Sequence, residues 1–246
     1  MSDFRDNQQI TELLDALEKN GMPKERQDVL SLVDYISDME DTLTGMLEEM
    51  QGMKEEIGKI HNSTLRAKCQ SLVEKTEGFI HKCFEAIGKM KDNLVQGAKS
   101  ALEALRNFGV EAFKKVVHAM KIPEALDNLA GLFSRMSENV RDNAQQLKTM
   151  QSELNVGRAH IKNAGRLFTG RLMRDPDNIR TDKGILAGLG RLFEKMGKTY
   201  DSLAQKAMDG ADKLRASKVR ESVRSELGKL TAIHGGRTKS QPEIVK

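Results

Sequence analysis

The segment Val29–Ile60, "VLSLVDYISDMEDTLTGMLEEMQGMKEEIGKI", decides the fold. Its apolar residues fall at Val29, Leu32, Ile36, Met39, Leu43, Met46, Met50, Met53, Ile57 and Ile60. The spacing alternates between three and four without a miss. A strand would need a period of two, so this is a helix with a heptad seam. Acids crowd its flanks at Asp34, Asp38, Glu40, Asp41, Glu48, Glu49, Glu55 and Glu56. The methionines fit the seam as core residues, although Met packs pliably and specifies a partner weakly.

The same pattern continues on both sides. Ile10–Lys19 reads as a short helix ended by "NGMP", where Gly21 suits a C-terminal cap and Pro23 a helix start. These first residues, 1–22, form a short helix and turn, and 23–62 form an acidic heptad coiled coil. At "HNSTLRAKC" the register falters. The step from Ile57 through His61 and Leu65 to Cys69 resembles a stutter, with Ser63 as an alternative helix cap. With no Gly or Pro between 59 and 69, a continuous helix is expected.

Residues 63–170 read as a helical hairpin with its turn near 122–124, at Ile122–Pro123, and an interior kink at "RNFGV". A second seam runs Leu126, Leu129, Phe133, Met136, Val140, Asn143, Leu147, Met150, Leu154, Gly157, Ile161, Ala164, Phe168. Asn143 is its one carboxamide, a residue that fixes register when buried. Residues 171–184 read as a loop, 185–233 as a basic C-terminal helix and 234–246 as a flexible tail. The expected fold class is all-α, an elongated coiled-coil-rich bundle of long antiparallel helices.

Composition agrees. Aromatic residues make up 4% and there is no Trp, while charged residues reach 31%, so burial must be spread along helical seams. Charge is graded along the chain. Residues 1–60 hold 15 acidic and 6 basic residues, a net of −9; residues 156–246 hold 10 and 20, a net of +10. Such a gradient orients antiparallel packing or offers a different partner at each end.

The function classes narrow by exclusion. The start, "MSDFRDNQQ", lacks the basic and apolar regions of a signal peptide, and no apolar run approaches a membrane span. A cytoplasmic protein is expected. Cys69 and Cys83 stand 14 residues apart, too far to chelate one zinc on a single helix, and read as small buried residues. No two of the five histidines make an HExxH pair. "GILAGLG" at Gly184–Gly190 lacks the lysine and Ser/Thr of a phosphate loop. No catalytic residue, metal ligand, cofactor or small-molecule substrate is expected, and the protein reads as non-enzymatic.

Binding remains. One expectation is self-association, or pairing with another helical protein, through Ile36, Met39, Leu43, Met46, Met50, Met53 and Ile57. The alternative is a peripheral binder of nucleic acid or an anionic membrane. It rests on the basic C-terminal third, with Arg158, Lys162, Arg166, Arg171 and Arg174 as candidate anion-binding residues, and on the broad apolar face of the 93–122 helix.

Three stretches, "KNGMPKERQDVLSLVDYISDME" (19–40), "STLRAKCQSLVEK" (63–75) and "AMKIPEAL" (119–126), carry a resemblance. Together they resemble an uncharacterised domain-of-unknown-function family of bacterial chromosomes and mobile genetic elements, over about residues 8–210. The resemblance implies a bacterial accessory protein of the kind carried on a conjugative element. It brings no active-site residues.

Overall fold

The computed structural model describes residues 4–120, 122–173 and 184–235, with side chains up to residue 216. A 3-10 turn at Phe4–Asp6 leads into α1 (Gln8–Lys19), α2 (Pro23–Gly58), α3 (Ser63–Phe108), α4 (Val110–Ala119), α5 (Ile122–Phe168) and α6 (Ile185–Gly235). Among the described residues there is no strand, and the protein is an all-α helical bundle.

Four long helices form the bundle as a ring: α2 lies beside α3, α3 beside α5, α5 beside α6, and α6 closes onto α2. Cross-helix pairs show that neighbours run antiparallel. Glu40 meets Lys91 at 3.0 Å and Lys54 meets Glu77 at 2.6 Å between α2 and α3. Lys148 meets Glu194 at 2.5 Å between α5 and α6, and Lys195 bridges Glu49 of α2. The acidic α2 thus faces bases on α3 and α6, which is where the charge gradient goes. Exposed pairs of this kind orient helices more than they stabilise them.

The seam of α2 lies inside this ring. Ile36, Met39, Leu43, Met46, Met50 and Ile57 are buried, and Met53 is half-buried against the same core. The expectation that this seam joins two copies therefore meets a surface already filled: a second chain would have to displace α3 or α6 to reach it. Tyr35, on the flank, donates its hydroxyl to the Leu203 carbonyl at 2.6 Å and ties α2 to α6.

The expected continuous helix through 61–71 is corrected. The α2 helix stops at Gly58, and α3 starts after Asn62, whose side chain accepts from the Leu65 amide at 2.9 Å. Asn62, not Ser63, is the cap. A cap and a four-residue connection let the chain reverse without Gly or Pro, so one rod becomes an antiparallel hairpin. Asn62→Ala should lower stability by about 1 kcal/mol, read as an earlier thermal melt; an unchanged melt would mean the cap contributes nothing.

The second break falls at Gly109, whose φ of 79° lies in the left-handed region that suits glycine. It folds α4 back against α3. Phe113 and Val117 of α4 are buried there, and α1 packs on α3 as well. Leu94, Ala98, Ala101 and Ala104 of α3 are buried, so α1 and α4 occupy the broad apolar face of the 93–122 stretch. Most of that face is core, because one helix contacts several neighbours at once, while Phe108 at the end of α3 is exposed.

The closest pairing is α5 with α6, and small residues permit it. A Cβ on Gly197 would lie 3.1 Å from Arg141 Cγ and 3.5 Å from Val140 Cγ2. Ser137 donates to the Gly197 carbonyl at 3.0 Å across the same contact. Elsewhere in the core, Asn143 is buried and donates to Thr76 Oγ1 at 3.1 Å, pinning α5 against α3. Tyr200 is fully buried, stacked on Phe133 with ring centroids 6.2 Å apart, and its hydroxyl has no hydrogen-bond partner.

Candidate interaction surface

The Asn143–Thr76 bond fixes a register with a consequence at both ends of the bundle. Counting along antiparallel helices from that pair, the start of α5 lies opposite the middle of α3's second half, near Gly97. The start of α3, Ser63, lies opposite residue 156. Helices α3 and α5 have 46 and 47 residues, yet they are staggered by about a dozen residues, roughly 17 Å. At one end the surplus of α3 is covered by α1 and α4. At the other end the surplus of α5 runs past the start of α3.

This overhang has an unusual surface. Phe168 is 93% exposed, Leu172 88% and Ile161 75%, with Leu167 and Met173 also exposed. Here the seam expectation is corrected. Ile161, Ala164 and Phe168 are its last apolar members and all three are exposed, whereas the buried side of this stretch is Ala159 and Asn163. The heptad count is unbroken, yet no long helix remains for those positions to face. Contiguous apolar exposure of this kind marks contact sites in proteins that otherwise hide such groups.

The candidate anion-binding residues fall on the same segment. Arg158 and Lys162 are exposed, four residues apart, and Arg166 continues their row, half-buried. The Arg166 Nε donates to the Leu172 carbonyl at 2.7 Å and holds the chain after α5 against the helix. Arg171 is exposed, while Arg174 lies outside the described residues. Residues 156–173 contain four basic residues and no acidic one. The apolar side chains were legible in the sequence, but their exposure was not, because it depends on the stagger.

Beside the overhang, a cleft of about 410 Å³ opens between the cap Asn62 with Leu65 and Lys68 of α3 and Leu154, Arg158 and Ile161 of α5. Three other hollows lie between helices. One of them, about 680 Å³, separates α5 from α6 along Lys148, Arg191 and Glu194. The Glu194 carboxyl is held below its ordinary range by the hydrogen bond from Lys148. A third, about 440 Å³, is lined by Asp28, Asp34, Asp38, Lys206 and Lys213. The fourth, about 300 Å³, is apolar and lies under Met120 at the start of α5.

None of these four hollows is lined by a histidine or cysteine. Cys69 and Cys83 are both fully buried; burial raises the Cys69 thiol and pushes Cys83 up to about 12, which suppresses the reactive thiolate. Burial likewise raises the Tyr35 and Tyr200 hydroxyls, with the Cys83 thiol a second cause at Tyr200. Among the described residues, no group of three His, Cys, Asp or Glu side chains comes together in a way that could hold a metal ion. Nor is any helix among them long and apolar enough to cross a membrane.

No curated protein and no solved structure matches this chain. A family model does match, over residues 6–246, and its span takes in every helix described above from α1 to α6. The chain belongs to that family, the family of unknown function DUF6674.

Proposed function

We propose that the protein is a non-enzymatic helical interaction module that presents the end of α5 to a partner. The observation that carries this reading is the overhang itself, where Ile161, Phe168 and Leu172 stand exposed beside the exposed bases Arg158, Lys162 and Arg171. The rest of the bundle acts as the frame that holds this end clear of the core. The interaction role is kept from the sequence reading, but its surface moves from the α2 seam to α5. The resemblance noted above supports placing the protein in the bacterial cytoplasm, as an accessory protein of a mobile element.

Site-specific photocrosslinking in native cells tests the reading. A photoreactive residue at position 168 should give adducts in high yield, whereas one at the exposed Lys99 of α3 should give few. Equal yields at the two positions would sink it.

A further inference from the structure

We infer that the partner of the α5 end is an anionic lipid surface. The inference rests on α5 as the contact surface and adds the chemistry of what it contacts. Three observations select a lipid headgroup layer over other occupants.

The first is charge. Residues 156–173 are uniformly basic, with Arg158, Lys162 and Arg171 exposed. A second copy of the same end would bring like charges together, which disfavours a symmetric self-contact. An anionic leaflet supplies the opposite sign over the whole area.

The second is the kind of apolar group. Ile161, Leu172 and Met173 are aliphatic or thioether chains, and Phe168 is the one apolar ring beside them. Duplex phosphates offer such chains nothing, and single-stranded bases favour stacked aromatic platforms. Acyl chains accept all four side chains without demanding a shape.

The third is presentation. Phe168, Leu172 and Met173 sit at the projecting end of the helix and the segment that follows it, outside any of the four hollows, while Ile161 borders the cleft beside Arg158. A projecting end can enter a headgroup layer to the ~5–10 Å depth reached by interfacial helices. Ile161 and Phe168 lie seven residues apart on one face of α5, bordering the Arg158–Lys162 row, which is the amphipathic arrangement such insertion needs.

The experiment uses the full chain and two vesicle compositions: phosphatidylcholine alone, and phosphatidylcholine with about a third phosphatidylglycerol. Because the chain has no tryptophan, Phe168→Trp creates a single reporter. Its emission should shift to the blue with the anionic vesicles and stay unchanged with the neutral ones. A reporter at Lys99→Trp should not respond.

In sedimentation, wild-type binding to the anionic vesicles should weaken at least about tenfold in the neutral ones, and fall steeply as salt rises. Arg158→Gln with Lys162→Gln and Arg171→Gln should reduce it by at least about tenfold, as should Ile161→Ser with Phe168→Ser. Circular dichroism of each variant must match the wild type for the comparison to count.

Absence of a blue shift in the Phe168→Trp variant would overturn the lipid assignment, as would equal binding to both vesicle types. So would a duplex DNA that displaces the protein from vesicles and is itself bound in the Ile161→Ser, Phe168→Ser variant. If vesicles fail while crosslinking at position 168 captures a protein, the contact surface stands and the lipid assignment falls. If neither position 168 nor vesicles respond, both fall.

Discussion

Leu43→Asp should unfold the bundle instead of splitting a dimer. Leu43 is fully buried at the centre of the α2 seam, within the ring of its own chain. The substitution removes a packed side chain and places an unpaired carboxylate where no water reaches. Such changes cost about 4–5 kcal/mol or more, comparable to the total stability of many domains, which is ~5–15 kcal/mol. Far-ultraviolet circular dichroism and light scattering separate the two ideas. Loss of helicity, or a sharply lower denaturation midpoint, fits a seam filled from within. Retained helicity with a halved mass would return the seam to an interface between copies.

The second large effect lies at the Phe133–Tyr200 layer between α5 and α6. Phe133→Ala should cost about 3–5 kcal/mol, because it empties a fully buried ring site that small residues on α6 cannot refill. Tyr200→Phe should move in the opposite direction. It keeps the ring against Phe133 while removing a buried hydroxyl with no partner, so stability should rise by about 1 kcal/mol. Urea denaturation of both variants reads the contrast. A destabilised Tyr200→Phe would mean that the hydroxyl is satisfied, for example by a buried water.

The sequence exposed the helices and most of the core because a heptad pattern needs only one chain to be read. The seam from Val29 to Ile57 is buried almost position for position. What surrounds the seam was not legible, since α3 and α6 fill it from residues far along the chain. The stop at Gly58 was hidden for a local reason: apolar residues continue at helical spacing through Ile57, Leu65 and Cys69, and the cap that restarts the chain is a single hydrogen bond to Asn62. The overhang was hidden for a global one. Ile161 and Phe168 continue the pattern faultlessly, but burial requires an opposing helix, and the stagger set at Asn143 and Thr76 removes it. The bases at Arg158 and Lys162 were visible from the start. Their meaning changes only when the adjacent apolar side chains are found exposed.

The antiparallel ring has a kinetic side. Three of its four contacts, α2 with α3, α3 with α5 and α5 with α6, join helices that follow one another along the chain with only α4 intervening. Four residues separate α2 from α3, the short α4 lies between α3 and α5, and residues 169–184 lead from α5 to α6, so all three contacts join near neighbours in sequence. The fourth, α6 onto α2, links residues as distant as Tyr35 and Leu203, 168 positions apart. Loop-closure entropy grows slowly with length, yet rates fall as contacts become less local. The closing of α6 on α2 is therefore the long-range step that joins the sequence-local helix pairs into one closed ring.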